Sequence, residues 1–317
     1  MESRKKIKVG ISSCLLGESV RYDGGHKRDD YITDTLTQHF DLIGVCPEVA
    51  IGLGVPRPPV QLVETRTGTS VLGVDDPTND VTARLSRFAS RTSVELADVC
   101  GYIFKSGSPS CGLQAVPLYA QDGRRLGSSS GVYARVLSAV LPLIPMEQED
   151  RLADPLARES FFERVYALHR WNQQMATGLT AASLVAYHSR LKYQVMAHSQ
   201  VVYRKLGRLV AAAGGTDLRV RADEYLSTLL DALKTPASRG AHTNVLQHLA
   251  GYFRGCVSDE SRLELNMLID RYHLGEVRLS VPLDWIRRHL AHCANLSLYQ
   301  QSYLEPYPPE LLGHTPA

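Results

Sequence analysis

The stretch KIKVGISSC at residues 6–14 decides the fold of the first half of the chain. It is a short apolar run with β-branched residues that stops at Ser-Ser-Cys, which indicates a buried strand followed by a turn. Residues 40–45 (FDLIGV) and 99–104 (VCGYIF) repeat this pattern, and helical segments at residues 33–39 and 81–98 lie between the strands. Strand, helix and strand in this order predict an α/β domain with a mainly parallel sheet.

Helical periodicity replaces the strand signals after residue 155. Residues 142–155 (PLIPMEQEDRLADP) hold three prolines and an acidic cluster, as is typical of a linker. Helical patterns follow at about 156–176, 180–213, 218–234, 238–253, 258–273 and 282–303, and the tail from residue 305 is Pro-rich. We therefore expect a Rossmann-like α/β domain over residues 1–146, a linker over 147–155 and an all-α domain over 156–317.

Composition excludes several classes of protein. The 317 residues are 44% hydrophobic and 21% charged, unlike a disordered or fibrous chain. No uncharged apolar run reaches the length of a membrane span, and the apolar run near the N-terminus is too short for a signal peptide. We expect a cytoplasmic protein without a membrane partner. The net charge of +2 argues neither for nor against nucleic acid, no DNA partner is expected, and a monomer is favoured although the oligomeric state is open.

The cysteines give the first chemical signal. They are Cys14, Cys46, Cys100, Cys111, Cys256 and Cys293. Six are too few for a disulfide scaffold, and no CxxC pair exists. Cys14, Cys46 and Cys111 each follow a predicted strand, and the carboxyl ends of parallel strands share one edge of a sheet, so these thiols could converge. Cys100 begins its strand instead, and burial explains the last two on predicted helices.

Three converging thiolates suit a soft metal. A structural zinc site and an iron–sulfur cubane each take four protein ligands as a rule, so three cysteines would leave one iron open. An open iron is a Lewis acid that favours a soft donor such as sulfur. The alternative is that the three thiols are buried or incidental.

The neighbours of these cysteines strengthen the prediction of a reactive site. Glu48, two residues after Cys46, could act as a general base for water; alternatively it caps a helix or is a surface charge. Ser108 and Ser110 lie in the loop that leads to Cys111, where they could donate a proton, or could serve the turn alone. No dinucleotide fingerprint or G-x-S-x-G elbow is present.

Five motifs occur in a fixed order. They are SSCLLG (12–17), VRYDGG (20–25), CPE (46–48), GVPRPP (54–59) and KSGSPSCG (105–112). Together they resemble the bacterial thiouracil desulfidase family over about residues 6–145. The resemblance implies an oxygen-sensitive 4Fe-4S cluster on Cys14, Cys46 and Cys111, with one open iron that takes the substrate sulfur in a non-redox desulfuration. It also implies catalytic roles for Glu48 and one loop serine; Ser108 is favoured over Ser110 because a residue three before the ligand can fold back towards the cluster.

The helical half contains a basic segment. Residues 187–221 hold seven Lys and Arg residues against one acidic residue, a net charge of +6. Cations interleaved with aromatic rings suit RNA, because cations bind phosphates and rings stack on unpaired bases; the alternative is a solvated helix face. The candidate RNA-contacting residues are His188, Arg190, Lys192, Tyr193, Tyr203, Arg204, Lys205 and Arg208.

This half resembles a helical domain of unknown function that is often fused to the desulfidase domain, and the fused form resembles a desulfidase acting on 4-thiouridine in tRNA. The sequence therefore predicts an enzyme that hydrolytically converts tRNA 4-thiouridine to uridine and sulfide. Two alternatives stay open: desulfuration of free thiouracil, and a non-catalytic RNA- or protein-binding protein with a structural metal.

Overall fold

The computed structural model describes residues 6–66, 68–293 and 296–312. The chain folds into two compact units. The described residues up to Val165, together with Pro309–Leu312, form the first unit. The second unit is Tyr166–Pro308.

The first unit contains two sheets and several helices. Its strands are β1 (Ile7–Ser12), β2 (Phe40–Val45), β3 (Val60–Thr65), β4 (Gly68–Gly73), β5 (Tyr102–Phe104), β6 (Val116–Tyr119), β7 (Arg125–Ser129) and β8 (Met146–Gln148). Its helices are α1 (Thr37–His39, which continues a π-helical stretch Tyr31–Leu36), α2 (Pro47–Ala50), α3 (Thr82–Glu95), α4 (Val132–Val140) and the start of α5 (Pro155–Met175).

Sheet A is parallel throughout, with the order β2-β1-β5-β8. Ser12 lies opposite Val45 at the carboxyl ends of β1 and β2, so the loops that follow these strands start side by side. Gly10 is required in β1, because a Cβ there would lie 2.3 Å from the ring of buried Tyr102 on β5. The predicted α/β unit with a mainly parallel sheet is confirmed in this sheet.

Sheet B was not predicted. It is mixed, with the order β4-β3-β6-β7, antiparallel hairpins at both ends and a parallel pair β3·β6 in the middle. Leu62, Val71 and Val116 of this sheet pack against Leu85 of α3 and Val132 of α4 in one buried cluster. Strand β6 has only four residues and contains a proline, and β7 is largely exposed, so neither shows an apolar period that would reveal the sheet.

The structure differs from the predicted linker over residues 147–155. Strand β8 pairs with β5 in the register Tyr102↔Met146, and a 3₁₀ helix follows at Arg151–Ala153. Gln148 is buried, and its side-chain oxygen accepts N–H groups from Leu113 and Gln114. This segment is therefore part of the first unit.

The second unit is all-helical among its described residues, as predicted. After the rest of α5 come α6 (Ala181–His198), α7 (Gln200–Ala211), α8 (Leu218–Ala232), α9 (Arg239–Ala250), α10 (Asp259–Leu274), α11 (Ser280–His289) and α12 (Leu296–Tyr299). The predicted helix over 180–213 is interrupted at Ser199, whose extended backbone and side chain cap α7 through the Val202 N–H. Trp285 is fully buried in a core cluster of this unit. In the part of the chain that is described, no helix combines the length and apolarity needed to cross a membrane.

Candidate functional site

A cavity of about 450 Å³ opens at the carboxyl edge of sheet A in the first unit. Cys14, Cys46 and Cys111 all line it, together with Glu48 and Ser108. The cysteines arrive on three separate segments: a 3₁₀ turn after β1, the N-cap of α2 after β2, and the loop after β5. The structure therefore brings together the three thiols that the strand-end argument singled out. Cys100 is buried in the core and is not part of the cavity lining.

Burial raises the pKa of all three thiols, which favours their protonated form. Burial raises the pKa of Cys14 to about 11, with a further contribution from Cys46. Burial also raises the pKa of Cys46 and that of Cys111, and at Cys111 the charges of Glu48 and of the other two cysteines act in the same direction. Thiolates at these positions require a bound cation that compensates their charge.

Glu48 is held rigidly at the wall of the cavity. Its Oε2 accepts two N–H groups from Arg57, at 2.9 Å from Nε and 2.7 Å from Nη2. Its Oε1 accepts the Ser110 hydroxyl at 2.9 Å. A carboxylate has about four lone-pair positions, so these three contacts fix its orientation and leave acceptor capacity towards the cavity.

The two serines of the loop have different environments. Ser110 is fully buried, and its hydroxyl donates a hydrogen bond that helps to orient the Glu48 carboxylate. Ser108 lines the cavity, and its Oγ accepts the N–H groups of Ser110 and Cys111 at 3.3 and 3.1 Å. Since both backbone contacts use the oxygen as acceptor, the Ser108 hydroxyl hydrogen is available to a molecule in the cavity.

The start of this loop is anchored by an ionic network. Lys105 and Glu149 form an ion pair, and Glu149 also accepts the N–H and hydroxyl of Ser106. The Lys105 N–H donates to the Ser12 hydroxyl at the end of β1. These contacts fix the segment that carries Ser108 and Cys111 against sheet A.

Sequence reasoning missed Arg57 as a site residue. It lies in the GVPRPP motif, and its side chain is only 4% exposed. A single arginine between prolines carries no signal of its partner, because Glu48 is brought to it by the fold. Arg21, Tyr22 and Lys27 also line the cavity and belong to, or follow, the VRYDGG motif.

In the second unit, the predicted RNA-contacting residues do not form one exposed face. Tyr193 is buried, and its hydroxyl donates to Tyr252, so it cannot stack on a base; this corrects the expectation. Lys192 lies over the Tyr193 ring, with Nζ 4.7 Å from the centroid. His188 stacks on Tyr203 at 6.1 Å, and burial, together with the charge of Lys192, lowers the pKa of His188.

The cations of the same segment also differ from one another. Lys205 pairs with Glu224 at 2.9 Å, so part of the +6 charge is compensated by α8. Arg204 and Arg208 on α7 are exposed. Arg190 on α6 borders a separate cavity within the second unit.

Across the described residues, no group of three or more His, Cys, Asp or Glu side chains is arranged to hold a single metal ion. The three cysteines nonetheless line the same cavity.

Each half of the chain matches a known protein family. The profile of the 2-thiouracil desulfurase family matches residues 9–149, and that of a family described as protein of unknown function (DUF1722) matches residues 192–308. The uncharacterized protein YbgA of Escherichia coli (strain K12) is 38% identical over 151 residues, covering 47% of this chain and 89% of YbgA. The uncharacterized protein YbbK of Bacillus subtilis (strain 168) is 31% identical over 134 residues, covering 40% of this chain and 87% of YbbK.

A solved structure of a 4Fe-4S-dependent thiouracil desulfidase, TudS, is also similar, with 35% identity and a TM-score of 0.36 over 48% of this chain and 95% of that chain. The family profile spans all three cavity cysteines, Glu48 and both loop serines. The chain therefore belongs, through its N-terminal half, to the 2-thiouracil desulfurase family of enzymes, and carries a separate domain of unknown function in its C-terminal half.

Proposed function

We propose that this desulfidase acts on 4-thiouridine in tRNA and converts it to uridine with release of sulfide. The observation that carries the proposal is the cavity in which three cysteine thiols face a carboxylate fixed by Arg57. Because the chain belongs to an enzyme family, we do not propose the alternative of a non-catalytic binding protein with a structural metal.

A 4Fe-4S cluster on Cys14, Cys46 and Cys111 fits this donor set. All three thiols line the same cavity of about 450 Å³. When bound, the cluster would supply an iron with an open coordination position, a Lewis acid suited to a thiocarbonyl sulfur.

The reaction exchanges sulfur for the oxygen of water without net oxidation. Glu48 is placed to take a proton from water, so that the oxygen attacks C4 of the pyrimidine and the C4–S bond breaks as sulfide leaves. The two N–H groups of Arg57 hold the carboxylate in one orientation during this step. Glu48 then gives this proton to the departing sulfur, and the second proton of the water also passes to sulfur as the C4 carbonyl forms, so that thiocarbonyl and water become carbonyl and hydrogen sulfide and the carboxylate is restored.

Ser108 would stabilise the pyrimidine ring of the substrate as negative charge develops on it. Its hydroxyl oxygen is held by two backbone N–H groups, so its hydrogen can donate to an exocyclic or ring atom of the pyrimidine. Ser110 has no access to the cavity and acts on Glu48 alone. We therefore propose that Ser108 contacts the substrate and that Ser110 positions the Glu48 carboxylate.

Support for a tRNA substrate comes from the second unit. Exposed Arg204 and Arg208 are one turn apart on α7, where they can contact successive phosphates. A thiolated base inside a tRNA would have to leave its stack to enter the cavity. Free thiouracil is the second candidate, because every residue assigned to the chemistry lies in the first unit and a cavity of about 450 Å³ holds a single base.

Anaerobic reconstitution with iron and sulfide, followed by nucleoside analysis of thiolated tRNA in ¹⁸O-labelled water, tests the proposal. We expect loss of 4-thiouridine, an equal gain of ¹⁸O-labelled uridine, and release of sulfide. Turnover of free thiouracil with no change in tRNA would favour the second candidate. Uridine without the label would contradict attack by water.

A further inference from the structure

Two of the six cysteines, Cys256 and Cys293, come together in the second unit, away from the cavity that holds the other thiols. Each follows a short 3₁₀ turn, Gly251–Phe253 after α9 and Leu290–His292 after α11. In both places the cysteine N–H donates to the backbone carbonyl three residues earlier, at 3.1 Å for Cys256 and 2.9 Å for Cys293. The backbone of each cysteine is therefore fixed by its own turn.

The two thiols share one hydrogen-bond acceptor. Cys256 Sγ lies 3.3 Å and Cys293 Sγ lies 4.0 Å from the carbonyl oxygen of Tyr252. The Cys256 thiol also acts directly on Cys293, where it adds to the effect of burial in raising the pKa of the Cys293 thiol to about 12. The pair therefore has the proximity that a disulfide needs, and movement of the side chains would bring the sulfurs to the bonded distance of about 2.05 Å.

The two cysteines differ in their access to solvent. Cys293 is 3% exposed and belongs to the core cluster that contains Trp285. Cys256 is half-buried and packs against the same cluster. A dissolved oxidant therefore meets Cys256 first, and Cys293 is the second thiol, which the fold holds next to it.

A metal ion is a weaker interpretation of this pair. Two thiolates leave a zinc ion short of the four ligands that a structural site takes. Among the residues that the structure describes, no third His, Cys, Asp or Glu side chain completes such a group. Disulfide formation needs only two thiols and an oxidant, so the pair is complete for that chemistry.

We propose that Cys256 and Cys293 form a reversible disulfide by exchange with a small-molecule disulfide of the glutathione type. The Cys256 thiol loses its proton and attacks the small disulfide, whose S–S bond breaks and releases one small thiol. Cys293 then loses its proton and attacks the Cys256 sulfur of the mixed disulfide, which releases the second small thiol. Each leaving sulfur takes up a proton, so two protein thiols are oxidised while one small disulfide is reduced to two thiols.

The disulfide would close a loop that contains α10 and α11. Thirty-six residues separate the two cysteines, and both helices lie between them. A cross-link over such a loop restricts the unfolded chain and stabilises the folded state. The redox state of the pair would therefore set the stability of the second unit, and this inference does not depend on the proposed substrate.

Peptide mapping of the full chain tests the proposal. The protein is equilibrated anaerobically in glutathione buffers with a rising oxidised fraction, alkylated under denaturing conditions and digested with trypsin. Cys256 then lies in peptide 255–262 and Cys293 in peptide 289–317, and each of the other four cysteines lies in a different peptide. We expect these two peptides to become linked as the oxidised fraction rises and to separate on reduction. Cys100, a buried cysteine of the first unit, should be recovered as the alkylated thiol throughout.

Cys256→Ala and Cys293→Ala test the effect on stability. The melting temperature of the wild type, followed by circular dichroism of the helices, should be higher for the oxidised than for the reduced protein. This difference should vanish in both variants and persist in Cys100→Ala, the matched control. The peptide map of the wild type stands even if a variant does not fold.

Absence of the linked peptides at every glutathione ratio would overturn the proposal. Recovery of Cys256 only as its mixed disulfide with glutathione would also overturn it, because Cys293 would then not complete the exchange. Linked peptides with an unchanged melting temperature would overturn the effect on stability.

Discussion

Arg57 and Glu48 form a nearly buried ion pair in which both Arg57 contacts go to the same carboxylate oxygen, at 2.9 and 2.7 Å. The remaining Arg57 nitrogen, Nη1, donates to the carbonyls of Val20 and Gly54. The Val20 carbonyl also accepts the Cys46 thiol. Arg57 therefore ties the carboxylate to the segments that carry Cys14 and Cys46, and we regard it as a positioning residue.

Replacement of Arg57 with Met should destabilise the first unit, because it leaves the Glu48 carboxylate without its ionic partner. Loss of one partner of a buried pair costs about 3–5 kcal/mol, and contact with the cavity reduces this value here. Arg57→Met/Glu48→Gln should be more stable than Arg57→Met alone, since the unpaired charge is gone. Urea denaturation checks the order. A double variant less stable than the single one would show that the pair is not coupled in this way.

Glu48→Gln should retain iron and bind thiolated substrate while turnover falls. Removal of a general base typically costs on the order of 10²–10⁴ in rate. The measurement is single-turnover release of sulfide, with iron content and substrate affinity as controls. Turnover close to that of the wild type would remove Glu48 from the chemistry.

Ser108→Ala and Ser110→Ala should differ in size of effect. Ser110 supplies one of the three contacts to Glu48, so its loss should lower kcat by roughly three- to tenfold. Ser108→Ala removes the hydroxyl that faces the cavity and should lower kcat by about 10². Steady-state kinetics on one thiolated substrate compares the two. The reverse order would assign the substrate contact to Ser110.

Cys14→Ala, Cys46→Ala and Cys111→Ala should each lose most of the iron and the brown chromophore after reconstitution. Cys100→Ala is the matched control, because this buried cysteine does not line the cavity and should leave the iron content unchanged. Iron and acid-labile sulfide analysis, with absorption spectra, checks the result. Cluster loss in Cys100→Ala with retention in Cys14→Ala would disprove the ligand set.

Arg204→Gln/Arg208→Gln should weaken tRNA binding and flatten its salt dependence. Each lost phosphate contact lowers the slope of log affinity against log salt by roughly 0.7–0.9, so two contacts change it by about 1.5. Lys205→Gln is the comparison, because Lys205 is already paired with Glu224 and should change the slope less. A slope unchanged in the double variant would mean that these arginines only face solvent.

The cysteine-bearing edge of sheet A could be predicted because its signals are local. The runs at 7–12 and 40–45 have the composition of buried strands, and the parallel arrangement then places Cys14 and Cys46 at one edge. Sheet B could not be predicted in this way. Strand β7 is largely exposed and contains glycine, and β6 is four residues long with a proline, so neither has an apolar period.

In the helical half, the sequence predicted the helices but not which of their residues are buried. Periodicity located its helices but not the environment of each residue, because α6 is buried on several sides. Tyr193 therefore belongs to the core although its neighbours in sequence are polar or charged. The break at Ser199 does have a local signal, a serine that caps the following helix, but an apolar pattern on both sides concealed it.

The delivery of the three cysteines on separate segments has a consequence for the timing of maturation. Cys111 follows β5, and β5 must pair with β1 before its thiol can join the other two. During synthesis, a ribosome-bound fragment that ends before this strand lacks Cys111, so a 4Fe-4S cluster held by the three cysteines would have to be inserted after β5 has paired with β1. Loading would then report that strands β2, β1 and β5 have paired.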